Sequence, residues 1–217
     1  MESELRKEMK SCNEVCWLVS FLKFEGVRLF EETFKILEQN EIPVKIICTV
    51  YMGATDLKAI DFLSSFKNIQ IKISYNSRHE RLHAKAYLFR RNSGFDTGYV
   101  GSSNLSKSAL THGLEWNLKI TRQEIPHVLD KCIKTFETYW NDKEFELYIP
   151  ERDRSKLKEA LSIGTGSNQG EADSYLSFFE IIPYPFQKEI LEKLEKARLE
   201  GQTKNLLVAA TGTGKTV

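Results

Sequence analysis

The chain has no apolar run approaching the ~20 residues that a membrane-crossing helix needs, so no segment of it reads as a span. Its first residues, MESELRKEMKSCNE, are charged and lack the apolar stretch of a secretory leader. Cysteine is scarce: four in 217 residues, at positions 12, 16, 48 and 132, with no CxxC and no metal-site spacing. Cys16, Cys48 and Cys132 lie in apolar periodic segments, so buried reduced thiols are expected, and a cytoplasmic location with them. No metal ligand set is legible. An excess of one charge is also missing, since the net charge is only +1. Charge alone therefore predicts no affinity for polyanions. Its distribution is uneven, however. Between Lys67 and Leu110 eight Lys/Arg stand against two acids (Glu80 and Asp96), a window of +6 that leaves −5 on the rest. A positive window of that kind is the electrostatic footprint of a polyanion site when chemistry sits inside it.

Chemistry does sit inside it. Residues 81–117 read RLHAKAYLFRRNSGFDTGYVGSSNLSKSALTHGLEWN. His83 and Lys85 are two apart on an alternating run, a spacing that on a strand presents both to one face. A histidine there can attack or protonate phosphorus, and a lysine can hold the phosphate's charge. The turn Gly101-Ser102-Ser103-Asn104 follows and offers backbone amides, hydroxyls and a side-chain amide to the same oxyanion. Glu115 comes next, on another apolar run. Each piece alone is ordinary: His-x-Lys is usually a surface pair, and Gly-Ser-Ser-Asn a turn that starts a helix.

In this order the pieces resemble the phospholipase D superfamily, whose signature is H-x-K, a downstream Asp and then G-S-x-N. The resemblance covers about residues 10–150. It implies an α/β/α sandwich with a mixed sheet, His83 as nucleophile, Lys85 and Asn104 as phosphate clamps, and Ser102 and Ser103 in the small-residue turn. The signature Asp falls on Arg90, and fifteen residues separate Lys85 from Gly101, which predicts a long hairpin tip around Arg91–Thr97. The sequence is most similar to the nuclease branch in which that Asp is absent and a later Glu takes up part of the site. Glu115 fits that role, and Asp96 is a poorer substitute.

The remaining pattern alternates strands and helices. Glu2–Lys10 reads as a polar helix, Val15–Phe24 as a buried strand, Gly26–Gln39 as a helix and Pro43–Val50 as a second buried strand. Thr55–Phe66 reads as a helix, Ile69–Tyr75 as a strand, and His83–Phe89 with Tyr99–Gly101 as a hairpin. A short helix over Asn104–Thr111, capped by Ser103 or Asn104, a strand over Leu114–Thr121 carrying Glu115, a helix over Ile125–Trp140 and a short strand over Glu144–Tyr148 complete the domain, 1–161. Residues 162–174 are Gly/Ser-rich and read as a flexible linker.

Residues 175–217 carry a second signal. A short apolar strand, Asn205–Ala210, leads into Gly212-Thr213-Gly214-Lys215-Thr216, a phosphate-binding loop with Ala209 where the strict pattern wants Gly. The string resembles that of superfamily 2 helicases. It implies ATP held by the loop glycines and Lys215, magnesium held by Thr216, and adenine read by Gln187 just before an amphipathic helix. Only the start of such a motor is present, so a nuclease–helicase fusion with ATP hydrolysis in the longer parent is the expectation.

The resemblance implies a metal-independent phosphodiesterase acting on DNA through a phosphohistidine. In-line displacement needs a second histidine opposite the first. With one His-x-Lys in the chain, and with His79, His112 and His127 outside equivalent motifs, a homodimer meeting at the active-site face is expected. The rival expectation is a catalytically degenerate module that grips DNA and dimerises the helicase. No segment suggests docking to a membrane interface, and no stacking platform for bases is legible.

Overall fold

In a computed structural model of the chain, the structure describes residues 1–76, 82–164 and 185–202. Met1–Asn168 and Gln169–Val217 are separate compact units.

The first unit is built on seven strands: β1 Glu14–Leu18, β2 Val44–Thr49, β3 Ile69–Ser74, β4 Ala86–Arg90, β5 Thr97–Gly101, β6 Asn117–Thr121 and β7 Phe145–Leu147. They form one sheet in the order β6-β5-β4-β1-β2-β3-β7. The neighbours β1, β2 and β3 run parallel, and the other four strands join antiparallel, so the sheet is mixed. Alternate residues divide between two cores, as the two-residue period of a strand requires. Val15 and Trp17 enter one core with Tyr87 and Phe89, while Cys16 and Leu18 enter the other with Ala86 and Leu88.

Among the described residues, seven α-helices cover this sheet: α1 Glu2–Met9, α2 Phe24–Arg28, α3 Glu31–Gln39, α4 Leu57–Leu63, α5 Lys107–Thr111, α6 Pro126–Asn141 and α7 Pro150–Gly164. The first core takes residues from all of them except α6, and Leu129, Ile133 and Phe136 of α6 fill the second core alone. The result is the expected α/β/α sandwich with unequal layers. Trp17 centres the thicker side, edge-on to Phe30, Phe34 and Tyr87 at 5.5–5.8 Å between ring centroids. Each such pair adds about 0.5–1.5 kcal/mol beyond its buried area.

Several expected elements are shorter or divided. The strand read over Val15–Phe24 ends at Leu18, because the amides of Ser20 and Phe21 turn to a side chain and Phe24 opens α2. The helix read over Gly26–Gln39 breaks at Phe30, which lets Phe30 and Phe34 both reach Trp17. A Cβ on Gly26 would stand 2.5 Å from the Leu105 carbonyl oxygen, so that close approach requires glycine. α7 carries no expectation from sequence, and it runs through Gly164, three residues past the domain edge read from composition. Cys12 and Cys48 are buried, and burial pushes their thiols up to about 11 and about 12. Cys16 is buried and raised as well, whereas Cys132 is only half-buried.

Of the second unit, α8 Pro185–Leu199 is described. It begins at Pro185, so Gln187 lies within its first turn and not ahead of it. Gly212, Thr213, Gly214, Lys215 and Thr216 lie outside the described residues.

Candidate active site

The parallel strands β1, β2 and β3 end on one side of the sheet, where β4 begins and β5 ends. There the edge ladder closes in a fixed order. The Gly101 amide donates to the Lys85 carbonyl at 3.1 Å, and the Ser102 amide to the Trp116 carbonyl at 2.9 Å. A Cβ on Gly101 would sit 2.0 Å from that Trp116 oxygen, so only glycine lets these chains close. These bonds bring His83–Lys85, Gly101–Asn104 and Glu115–Asn117 together at one rim.

β4 starts at Ala86, so His83 and Lys85 stand in the extended lead-in and not on the strand. They do not present alike: His83 is exposed, whereas Lys85 is 4% exposed and its ammonium donates to the His83 carbonyl at 2.7 Å. The lysine thereby holds the backbone that carries the histidine.

Asn104 is fixed more firmly than its type alone suggests. Its Oδ1 accepts from the amides of Ser20 (3.0 Å) and Phe21 (3.3 Å), 84 and 83 residues away in sequence. Two backbone donors on one oxygen settle the amide's flip and leave Nδ2 as the donor for a ligand. The helix expected to start at Asn104 starts at Lys107, capped by Ser106, whose Oγ accepts from Ala109 at 3.3 Å. Capping therefore does not compete for Ser103 or Asn104.

Ser103 is fully buried. Its hydroxyl accepts from Asn117 Nδ2 at 2.7 Å, and its carbonyl accepts from Tyr87 OH at 2.9 Å. Tyr87 thus ties the aromatic core around Trp17 to the turn. The Ser102 hydroxyl donates to the Glu115 carboxylate and accepts from the Trp116 amide at 3.1 Å. Glu115 precedes β6, which begins at Asn117, and its carboxylate accepts from the Ser102 hydroxyl.

Arg90, at the position of the signature Asp, lies at the other end of β4, roughly 16 Å from Lys85 by the ~3.3 Å rise of a strand. It pairs with Glu137 at 3.1 Å and Glu14 at 3.6 Å. Asp96 is buried and accepts from the Arg91 amide and from Arg122, which makes it a scaffold residue of the β4–β5 hairpin. His112 ends α5 and His127 is exposed on α6, so neither stands with His83 in the lead-in to β4; His79 lies outside the described residues. Among the described residues, no group of three or more His, Cys, Asp or Glu is placed to hold a metal.

Sequence reasoning missed Ser20 and Phe21, whose amides lock Asn104. It also missed Trp116, whose backbone is bonded to Ser102 while its indole is 89% exposed. The only sequence signal for the latter was an aromatic residue directly after Glu115.

A mixed sheet with an His-x-Lys lead-in facing a Gly-Ser-Ser-Asn turn defines a phospholipase D-like domain. Residues 5–140 match the family described as cardiolipin synthase, PLD-like domain, and the chain belongs to that family. Residues 180–217 match the type III restriction enzyme res subunit. Among curated proteins, no relative matches. Nuc of Salmonella typhimurium, a phospholipase D family member, is a similar solved structure, with 18% identity, a TM-score of 0.50, and 67% of this chain and 89% of that chain covered. NucT of Helicobacter pylori follows at 18% identity and a TM-score of 0.49, covering 63% and 84%. Phosphatidylserine synthase of Haemophilus influenzae has 12% identity and a TM-score of 0.49, covering 94% and 44%. The fold is thus that of phospholipase D-like phosphodiesterases. Among the described residues, no helix is long and apolar enough to cross a membrane.

Proposed function

We propose that the domain is a metal-independent nuclease that cuts DNA through a phosphohistidine. The observation that carries this reading is the locked Asn104: its oxygen is committed to two backbone amides, and its nitrogen is left as a donor at the rim whose other chain carries His83 and Lys85. In the first step an imidazole nitrogen of His83 attacks phosphorus, a P–N bond forms, and the P–O bond to the leaving nucleotide breaks. The departing oxygen takes a proton from His83 of a second copy, on the opposite side of the phosphorus. In the second step that neutral histidine takes a proton from water, the water oxygen bonds to phosphorus, and the P–N bond breaks. Lys85 and the Asn104 Nδ2 hold the charge that develops on the phosphoryl oxygens.

The homodimer belongs to this proposal, since one chain supplies one His-x-Lys. Arg90 supports activity over a degenerate binding module: the departure from the family signature falls at the far end of β4, in ion pairs with Glu14 and Glu137. DNA as substrate, and fusion to an ATP- and magnesium-dependent helicase, rest on the 180–217 match and on the loop around Lys215.

The test is cleavage of plasmid and single-stranded DNA in EDTA. Cutting that persists in EDTA and vanishes with His83→Ala is the expected result. Light scattering should give about twice the 25.1 kDa chain mass, and mixing His83→Ala into the unsubstituted protein should poison it, because a mixed dimer holds one histidine of the pair. Tight DNA binding without cleavage would favour the degenerate module.

A further inference from the structure

The rim carries an apolar feature that the two-step chemistry does not use. Leu114, Trp116 and Leu118 alternate along the lead-in and start of β6, and all three are exposed. β6 is an edge strand, and among the described residues no strand pairs beyond it. Trp116 differs from its neighbours in how it is held. Its amide donates to Ser102 Oγ and its carbonyl accepts from the Ser102 amide, so the residue is fastened at both backbone groups to the turn that carries Ser103 and Asn104. Its indole, meanwhile, is almost wholly in solvent.

We infer that the Trp116 indole is a stacking platform for an unpaired nucleobase next to the phosphate held by the turn. The inference rests on the nucleic-acid reading above and adds a substrate form to it: a single strand, or a strand with a base displaced from its stack. A base is covalently attached to the phosphate backbone, so a strand gripped at Asn104 must carry a base past the residue bolted to Ser102. An indole offers a flat π-face that accepts any base, whereas Leu114 and Leu118 offer only apolar area. A duplex keeps its bases paired inside and has none to offer to the ring. Specificity on this account is for strand form and not for sequence.

The probes are a labelled single-stranded oligodeoxynucleotide and an abasic strand of the same length, with binding read by fluorescence anisotropy in a His83→Ala background that does not cut. The protein with Trp116 should prefer the base-bearing strand by about tenfold or more, the scale of one base–aromatic stack. Trp116→Ala should bring the ratio of the two affinities close to one, and Trp116→Phe should keep most of it. A ratio already near one with Trp116 in place overturns the inference. So does a ratio that Trp116→Ala leaves unchanged, or conversion of a dimer to monomers by Trp116→Ala, which would make the indole part of the contact between copies. Cleavage in EDTA is scored separately. A protein that shows the expected ratio and never cuts keeps the platform and loses the nuclease, and one that cuts with an unaltered ratio does the reverse.

Discussion

Replacing Asn104 by aspartate and by alanine separates what its two ends do. The Oδ1 end accepts the Ser20 and Phe21 amides, and in the proposed function the Nδ2 end is the donor toward a phosphoryl oxygen. Asn104→Asp keeps the shape and the acceptor, so the two amides stay paired and the fold should melt within a degree or two of the parent. It replaces the donor with a negative oxygen. Losing one such donor costs about 2.7–4 kcal/mol of barrier, or about 100- to 1,000-fold in kcat, and charge repulsion against the phosphate adds to that. Asn104→Ala removes both ends. Leaving the buried Ser20 amide without an acceptor costs about 1–3 kcal/mol of stability. At about 2–4 °C per kcal/mol for a domain of this size, Tm should fall by about 2–12 °C. The assays are kcat/KM on a phosphodiester substrate and a thermal melt of each variant. Asn104→Asp that retains activity, or that melts as low as Asn104→Ala, would refute the division of labour between the two ends.

Glu8 should show in the acid limb of stability. Burial pushes its carboxyl up, but hydrogen bonds from Lys119, Thr97 and Arg91 outweigh this and hold it at about 2 against an ordinary 4.5. Because the folded value is depressed, the stabilisation is fully present above pH 4.5 and is lost as pH falls from there toward 2. It is on the order of 3 kcal/mol, and Glu8→Gln should lower Tm at pH 7 while flattening the pH dependence over that window. Restoring the family's acid with Arg90→Asp should not raise activity in a steady-state assay. It sets a third carboxylate beside Glu14 and Glu137 and should lower Tm, whereas a gain in turnover would show that the residue communicates with the phosphate site.

The strands were legible where burial imposed a period of two, as in Ile69–Ser74, and the residues gathered at the rim were legible because His83, Lys85 and Gly101–Asn104 lie close in sequence and in order. Ends were less legible. Apolar residues continue past Leu18 because Leu22 and Val27 pack into the core after the ladder has stopped, and hydrophobicity does not distinguish a strand from the turn that follows it. The roles of Arg90 and Asp96 were out of reach for a different reason. Each is set by partners such as Glu14, Glu137 and Arg122 that only the closed sheet supplies. The Ser20–Asn104 bond spans 84 residues and has no local trace at either end. α7 was missed because its face toward the core is narrow, with Leu157 and Leu161 among mostly charged neighbours.

That 84-residue bond also fixes when the phosphate grip can exist. Ser20 leaves the ribosome several seconds before Asn104 at synthesis rates of about 5–20 residues per second, and Trp116 and Glu115 follow later still. Until the end of β1, the hairpin and the lead-in to β6 have all met, the Asn104 amide has no fixed flip and the turn has no fixed shape. A chain that ends before Asn104 therefore carries His83 and Lys85 without the fixed Asn104 donor. The grip is assembled only once segments 84 residues apart have met, so it is a product of the closed sheet and not of the His-x-Lys segment alone.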